Sequence, residues 1–113
     1  MDERLKQAIE HANYRQTLGI ERQRLKDKAL AELVIAHNGG IFTVGRELIG
    51  FINSIKEHDS AVILDDNDYP VEIESLQEFF DKIVGVYFEV TNRYMTDYSQ
   101  IKQKRTAAKL VDL

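Results

Sequence analysis

Residues 61–80 read AVILDDNDYPVEIESLQEFF, and within them the hydrophobic period changes from that of a strand to that of a helix. AVIL, 61–64, is a short apolar run of strand length, and YPVEIE, 69–74, alternates as a half-buried strand does. Between them stand Asp65, Asp66, Asn67 and Asp68, whose side chains bond nearby backbone amides and tolerate turn dihedrals. The pattern predicts a hairpin over 61–74, out along 61–65 and back along 69–73. Pro70 has no amide hydrogen, so its strand lies at an edge or turns that position outward. Ser75-Leu76-Gln77-Glu78 has the S-x-x-E form of a capping box and opens an apolar run, which marks a helix start.

A lone hairpin is marginal in water and needs helix to pack on. Downstream, Leu76, Phe80, Ile83, Tyr87, Val90, Tyr94, Tyr98, Ile101 and Ala108 recur at steps of mostly three and four, with Phe79, Val84 and Val86 widening the stripe near its start. This spacing predicts a helix over 76–109, roughly 50 Å long at about 1.5 Å per residue. Upstream, residues 2–37 are dominated by good helix formers and predict a second long helix. Leu5, Ile9 and Ala12 begin its stripe, and Leu18, Leu25, Ala29, Leu33 and Ala36 continue it, with a weak point at Gly19. Asn38-Gly39-Gly40 suits a helix stop, because these residues accept the left-handed conformation past a last turn. Thr43 suits the N-cap of a short helix over 43–57, with Val44, Leu48, Phe51, Ile52 and Ile55 on its apolar face. The chain contains a single proline, in keeping with long uninterrupted helices. The expected fold is mainly α with a small β-hairpin (α+β), a single domain over 1–113. Two long antiparallel helices are capped by the short helix and the hairpin.

Composition narrows the functional classes. Apolar residues make up 43% of the 113, enough for a packed core and against wholesale disorder. There is no cysteine, which excludes disulfides and zinc–thiolate chemistry. The start, MDERLKQAIEHANYRQ, is charged and lacks the apolar core of a secretory leader. No apolar run approaches a membrane span. A cytoplasmic protein is expected. The net charge of −4 is unevenly spread. Nine of the 19 acids fall between Glu57 and Asp81 with no Lys or Arg among them, leaving ten acids against all 15 bases elsewhere. Such a bipolar charge suits an oriented partner or self-association.

Chemical motifs are sparse. Asp65-Asp66-Asn67-Asp68 fails as a calcium loop. Counted from Asp65, positions five, six and twelve are Tyr69, Pro70 and Leu76, and counting from Asp66 fares no better. The stretch is expected to turn the chain. His11, His37 and His58 have no metal-ligand spacing, and His37 suits the last turn of the first helix, where a cation favours the dipole. Asn38-Gly39-Gly40 lacks the G-K-[ST] and preceding strand of a phosphate loop. No serine lies in a G-x-S-x-G turn. No enzymatic activity, cofactor or metal is expected. Basic clusters at Arg22, Arg24, Lys26 and Lys28, and at Lys102, Lys104, Arg105 and Lys109, read as solvated helix faces. With a net acidic chain, nucleic-acid binding is the lesser expectation.

Two stretches, NGGIFTVGRELIGFI (38–52) and DDNDYPVEIESLQEFFDKIVGVYFEVTNRYMTDYSQIKQKRTAAKLV (65–111), resemble small uncharacterised proteins of contractile-tailed phages of marine cyanobacteria. The resemblance covers about half the chain, rests on overall wording, and carries no functional residues. It implies expression in a bacterial host cytoplasm and a virion or assembly context. The helix–hairpin–helix plan is also similar in outline to prefoldin-type chaperone subunits, from which the intervening helix over 43–57 departs.

The leading expectation is a non-enzymatic helical protein that self-associates, coiled-coil fashion, in a structural or assembly role. Phe80, Ile83, Tyr87, Val90, Tyr94, Tyr98 and Ile101 would line the helix interface, because an isolated helix pair leaves the Phe79–Tyr94 band bare. Asp65, Asp66 and Asp68 would face a protein partner. Val90→Asp or Tyr94→Asp would then disrupt assembly or folding. The alternatives are a nucleic-acid accessory protein working through the basic tail, with Tyr94 and Tyr98 stacking on bases, and a prefoldin-like chaperone or adaptor.

Overall fold

The computed structural model describes the backbone of residues 2–111 and the side chains of residues 2–103. Seven elements follow one another: α1 (Glu3–Glu32), β1 (Val34–His37), β2 (Gly40–Thr43), α2 (Arg46–Ile55), β3 (Ala61–Leu64), β4 (Pro70–Ile73) and α3 (Leu76–Val111). The class is α+β, mainly helical, with two long helices and two antiparallel hairpins rather than one. The chain divides into two compact units. One holds residues 29–92; the other pairs the α1 segment up to Lys28 with the α3 segment from Arg93. Both units draw on α1 and α3.

The first long helix ends five residues earlier than its composition suggests. Val34 and Ile35 are β-branched, and with Ala36 and His37 they form β1, paired with β2 from Val34↔Thr43 to His37↔Gly40. The turn between them is Asn38-Gly39, with φ of 48° and 82°. Positive φ at both central residues gives the hairpin turn whose twist matches that of the strands, and Asn-Gly is its preferred sequence. Asn38-Gly39-Gly40 is thus a hairpin turn and not a helix stop. His37 lies on a strand, not in a last helical turn. Gly40 is buried because β4 passes over it: a Cβ there would stand 2.5 Å from Val71 Cγ2. Val71 is buried and stiff, so Gly40→Ala is expected to cost about 1–3 kcal/mol by overpacking, read from the urea midpoint. An unchanged midpoint would refute this approach of the hairpins.

Thr43 closes β2 and does not cap a helix. The short helix α2 starts at Arg46, and its N-cap, Gly45, makes no side-chain cap bond. The second hairpin stands where the sequence places it, with β3 and β4 paired from Ala61↔Ile73 to Leu64↔Pro70. Ser75 caps α3 as its motif predicts, its Oγ accepting the Glu78 amide at 3.3 Å.

In the 29–92 unit, both hairpins and α2 close on the start of α3. Phe42, Val44, Ile52, Ile63, Val71, Ile73, Leu76, Phe79 and Ile83 make one buried cluster. Phe79 meets Phe42 edge-on at 5.4 Å between ring centroids, an arrangement that aromatic quadrupoles favour. Phe80, one position on, is only half-buried, with the Lys56 ammonium 4.4 Å from its ring centre. The first turns of α3, through Ile83, are therefore covered within the unit, whereas Phe88 further along is 58% exposed.

The helical unit is made of the α1 segment up to Lys28 and the α3 segment from Arg93. Leu18 and Ile101 are buried here. Leu5 and Ile9 are exposed despite their helical spacing. α1 passes through Gly19 without a break, and a Cβ added there meets nothing within 4 Å. Gly19→Ala is accordingly expected to stabilise the chain by about 0.5–1 kcal/mol, measured as a rise in the thermal midpoint.

Candidate interaction surfaces

The acidic turn between β3 and β4 ties the two hairpins together. Asp65 is 7% exposed. Its Oδ1 accepts the amides of Asn67 and Tyr69, both at 2.9 Å, and its Oδ2 accepts the Ile41 amide of β2 at 3.0 Å. The Ile41 and Tyr69 amides lead in holding the Asp65 carboxyl below its ordinary pKa, the Asn67 amide adds to this, and partial desolvation opposes it. Amide donors favour the charged form. Asp66 faces the same strand, accepting the Thr43 amide at 3.2 Å and the Thr43 hydroxyl at 2.6 Å. Its own amide donates to Ile41 O at 2.9 Å. Asp68 holds a left-handed φ of 62° and is exposed. Of the three acids expected to face a partner, Asp65 is therefore committed to internal amides, Asp66 bonds Thr43 and remains exposed, and Asp68 is open to solvent. The carboxylates turn the chain, as the sequence leads one to expect, and also reach across to β2, which the sequence does not show.

A broad open depression of about 1120 Å³ lies beside this turn, within the 29–92 unit. Its lining includes Leu30 of α1, Leu48 and Phe51 of α2, Leu64 of β3 and Tyr87 of α3, with Asp66 and Asp68 among the polar lining residues. Leu30, Phe51 and Leu64 are 52%, 51% and 62% exposed, so apolar side chains stand in water beside polar ones that include Arg46, Glu47 and Asp66. Apolar and polar side chains gathered around one concave surface are what binding sites offer. Phe51, Leu48 and Tyr87 carry the periodic signal of their helices; nothing in the sequence shows that Leu30 and Leu64 meet them.

The residues expected at a helix interface divide between the units. Ile83 belongs to the buried cluster of the 29–92 unit, and Phe80 and Tyr87 pack against it. Val90 is also buried within the chain. Tyr94 and Tyr98 meet edge-on at 6.3 Å in the helical unit. Tyr98 and Ile101 line a cleft of about 190 Å³ together with Leu18, Arg15, Arg22 and Lys102. Three cations thus surround an apolar floor. Of the second basic cluster, the side chains of Lys104, Arg105 and Lys109 lie outside the described residues.

His37 meets Phe79 at 4.8 Å between ring centroids with the planes tilted by 50°, and the Lys82 ammonium is 3.2 Å from its Nδ1. Burial and then the Lys82 charge lower its pKa. The unfolded chain therefore takes up a proton before the fold does, and stability declines as pH falls below the ordinary value of 6.5,. His37→Phe keeps the ring on Phe79 and should remove that part of the decline, seen in thermal midpoints at pH 7.5 and 5.5.

Among the described residues, no helix is long and apolar enough to cross a membrane, and no group of three or more His, Cys, Asp or Glu is placed to hold a metal ion. Compared with family models, curated proteins and solved structures, the chain matches none.

Proposed function

We propose that the protein is a non-enzymatic assembly component that docks polypeptide in the depression of its 29–92 unit and self-associates through it. The observation that carries this reading is the set of exposed apolar side chains in the depression. The unit closes a complete core of its own and still leaves Leu30, Phe51 and Leu64 at least half exposed around one concave surface. Leaving such side chains in water forgoes about 25 cal/mol per Å² of burial, and a docked chain recovers it. The proposal places the interface here, and not along Val90 and Ile101, because those side chains are already buried within the chain. A virion or assembly setting, which the resemblance to phage proteins implies, agrees with this role.

The test is molar mass by light scattering across a concentration series. Wild type is expected to exceed 13.1 kDa as concentration rises, and Phe51→Asp to remain at the monomer mass. Val62→Ser, exposed on β3 but outside the depression, serves as the control and should behave as wild type. A wild type that stays monomeric, or a Phe51→Asp that associates normally, would sink the reading.

A second reading, nucleic-acid binding, is favoured by the cleft of Arg15, Arg22 and Lys102. It requires that Arg22→Ala weaken binding of a single-stranded oligonucleotide, with a steep dependence on salt. Absence of binding at low salt would exclude it.

A further inference from the structure

Charge divides along the same line as the fold. Residues 29–92 hold 12 acids and three bases, a formal −9; the segments 1–28 and 93–113 hold 12 bases and seven acids, a formal +5. Opposite charge on two units of one chain favours contact between copies, head to tail, and disfavours like against like.

Each unit presents a feature that fits the other's. On the acidic unit, the β3–β4 turn carries Asp66 and Asp68 beside Tyr69, which is 67% exposed. On the basic unit, the cleft has Leu18 and Ile101 as its floor and Arg15, Arg22 and Lys102 around it. Its volume of about 190 Å³ is of the same order as the roughly 150 Å³ of an enclosed cavity that holds benzene. Arg15 and Arg22 are both exposed, so their guanidiniums can be reached by incoming carboxylates. Asp66 keeps charge to offer as well, since Thr43 takes only part of its acceptor capacity,.

Resting on the self-association proposed above, we infer that the occupant is the basic helical unit of a second copy, whose cleft receives Tyr69 flanked by Asp66 and Asp68. Asp66 and Asp68 also line the depression, so a helical unit seated on the turn lies over the apolar lining. One interface then joins the apolar and the charged features. It is heterologous: each copy gives a turn from one unit and a cleft from the other. Such contacts close into a ring or run on as a filament, depending on the rotation between copies.

Charge reversal in trans tests this. Asp68→Lys and Arg22→Glu are both exposed, and neither touches the buried cluster. Each variant alone should associate about tenfold more weakly than wild type, or less tightly still. Mixed in equal amounts, they should regain association, because each then supplies what the other lacks. Wild-type association should also weaken with added salt. If both variants associate as wild type does while Phe51→Asp does not, docking in the depression stands and this occupant is wrong. If the variants weaken but mixing restores nothing, the contact is not turn to cleft. If wild type is monomeric at low salt, both the inference and the self-association reading fall.

Discussion

Phe79→Ala is expected to lower the unfolding free energy by about 3–5 kcal/mol, which is comparable to the whole stability of many small domains. Phe79 is 1% exposed. Its ring meets Phe42 of β2 at 5.4 Å and His37 of β1 at 4.8 Å, so its loss opens a cavity where the first hairpin meets α3. Circular dichroism in a urea series reads the effect. Phe80→Ala, beside it in sequence but half-buried, should cost distinctly less. Equal costs at the two positions would mean that the hairpins do not cover α3 as described.

The second large effect is expected at Asp65. An Asn there supplies one oxygen where the carboxylate supplies two. Either Ile41, or Asn67 and Tyr69, would then have an amide donor facing an NH₂ group, and buried donors left without acceptors are costly. Asp65→Asn should therefore lower the urea midpoint well beyond Asp68→Asn, an exposed change expected to stay within about 0.5 kcal/mol. Acid provides an independent check. The folded carboxyl is held below its ordinary value of 3.8. Its contribution is complete above that pH and is lost as pH falls through the lowered folded value, where the unfolded chain binds the proton more readily. The variant should lose less stability than wild type between pH 5 and pH 3. Parallel acid limbs would show that Asp65 does not hold the hairpins together.

Neither change removes surface exposed to a partner, so both test the fold apart from the assembly. Phe51→Asp and the charge reversals test the proposed assembly apart from the fold.

The sequence by itself determined the elements whose signals are local. The capping box at Ser75 placed the start of α3. The apolar run, acidic turn and alternation of 61–74 placed the second hairpin, and the periodicity of 76–101 gave a long helix. These signals are local because capping, turn geometry and helix period act within about four residues. One local signal was legible and outweighed. Asn38-Gly39 between Val34–His37 and Gly40–Thr43 is a hairpin sequence, but good helix formers on its N-terminal side favoured a helix stop. What decided for the strand was tertiary: β1 and β2 pair with each other and close on Phe79, so burial offsets the helical turns given up.

Only the tertiary structure decided which apolar residues are covered and which acids are available. Periodicity put Phe80 on the stripe and could not show that the hairpins sit over Phe79. Composition counted Asp65 with Asp66 and Asp68, and only the approach of Ile41 from 24 positions away in sequence separates the structural carboxylate from the exposed ones. Leu5, Ile9, Leu30 and Leu64 read as core by type and stand in water. Hydrophobicity states what a side chain gains by burial; whether anything arrives to bury it depends on contacts distant in sequence.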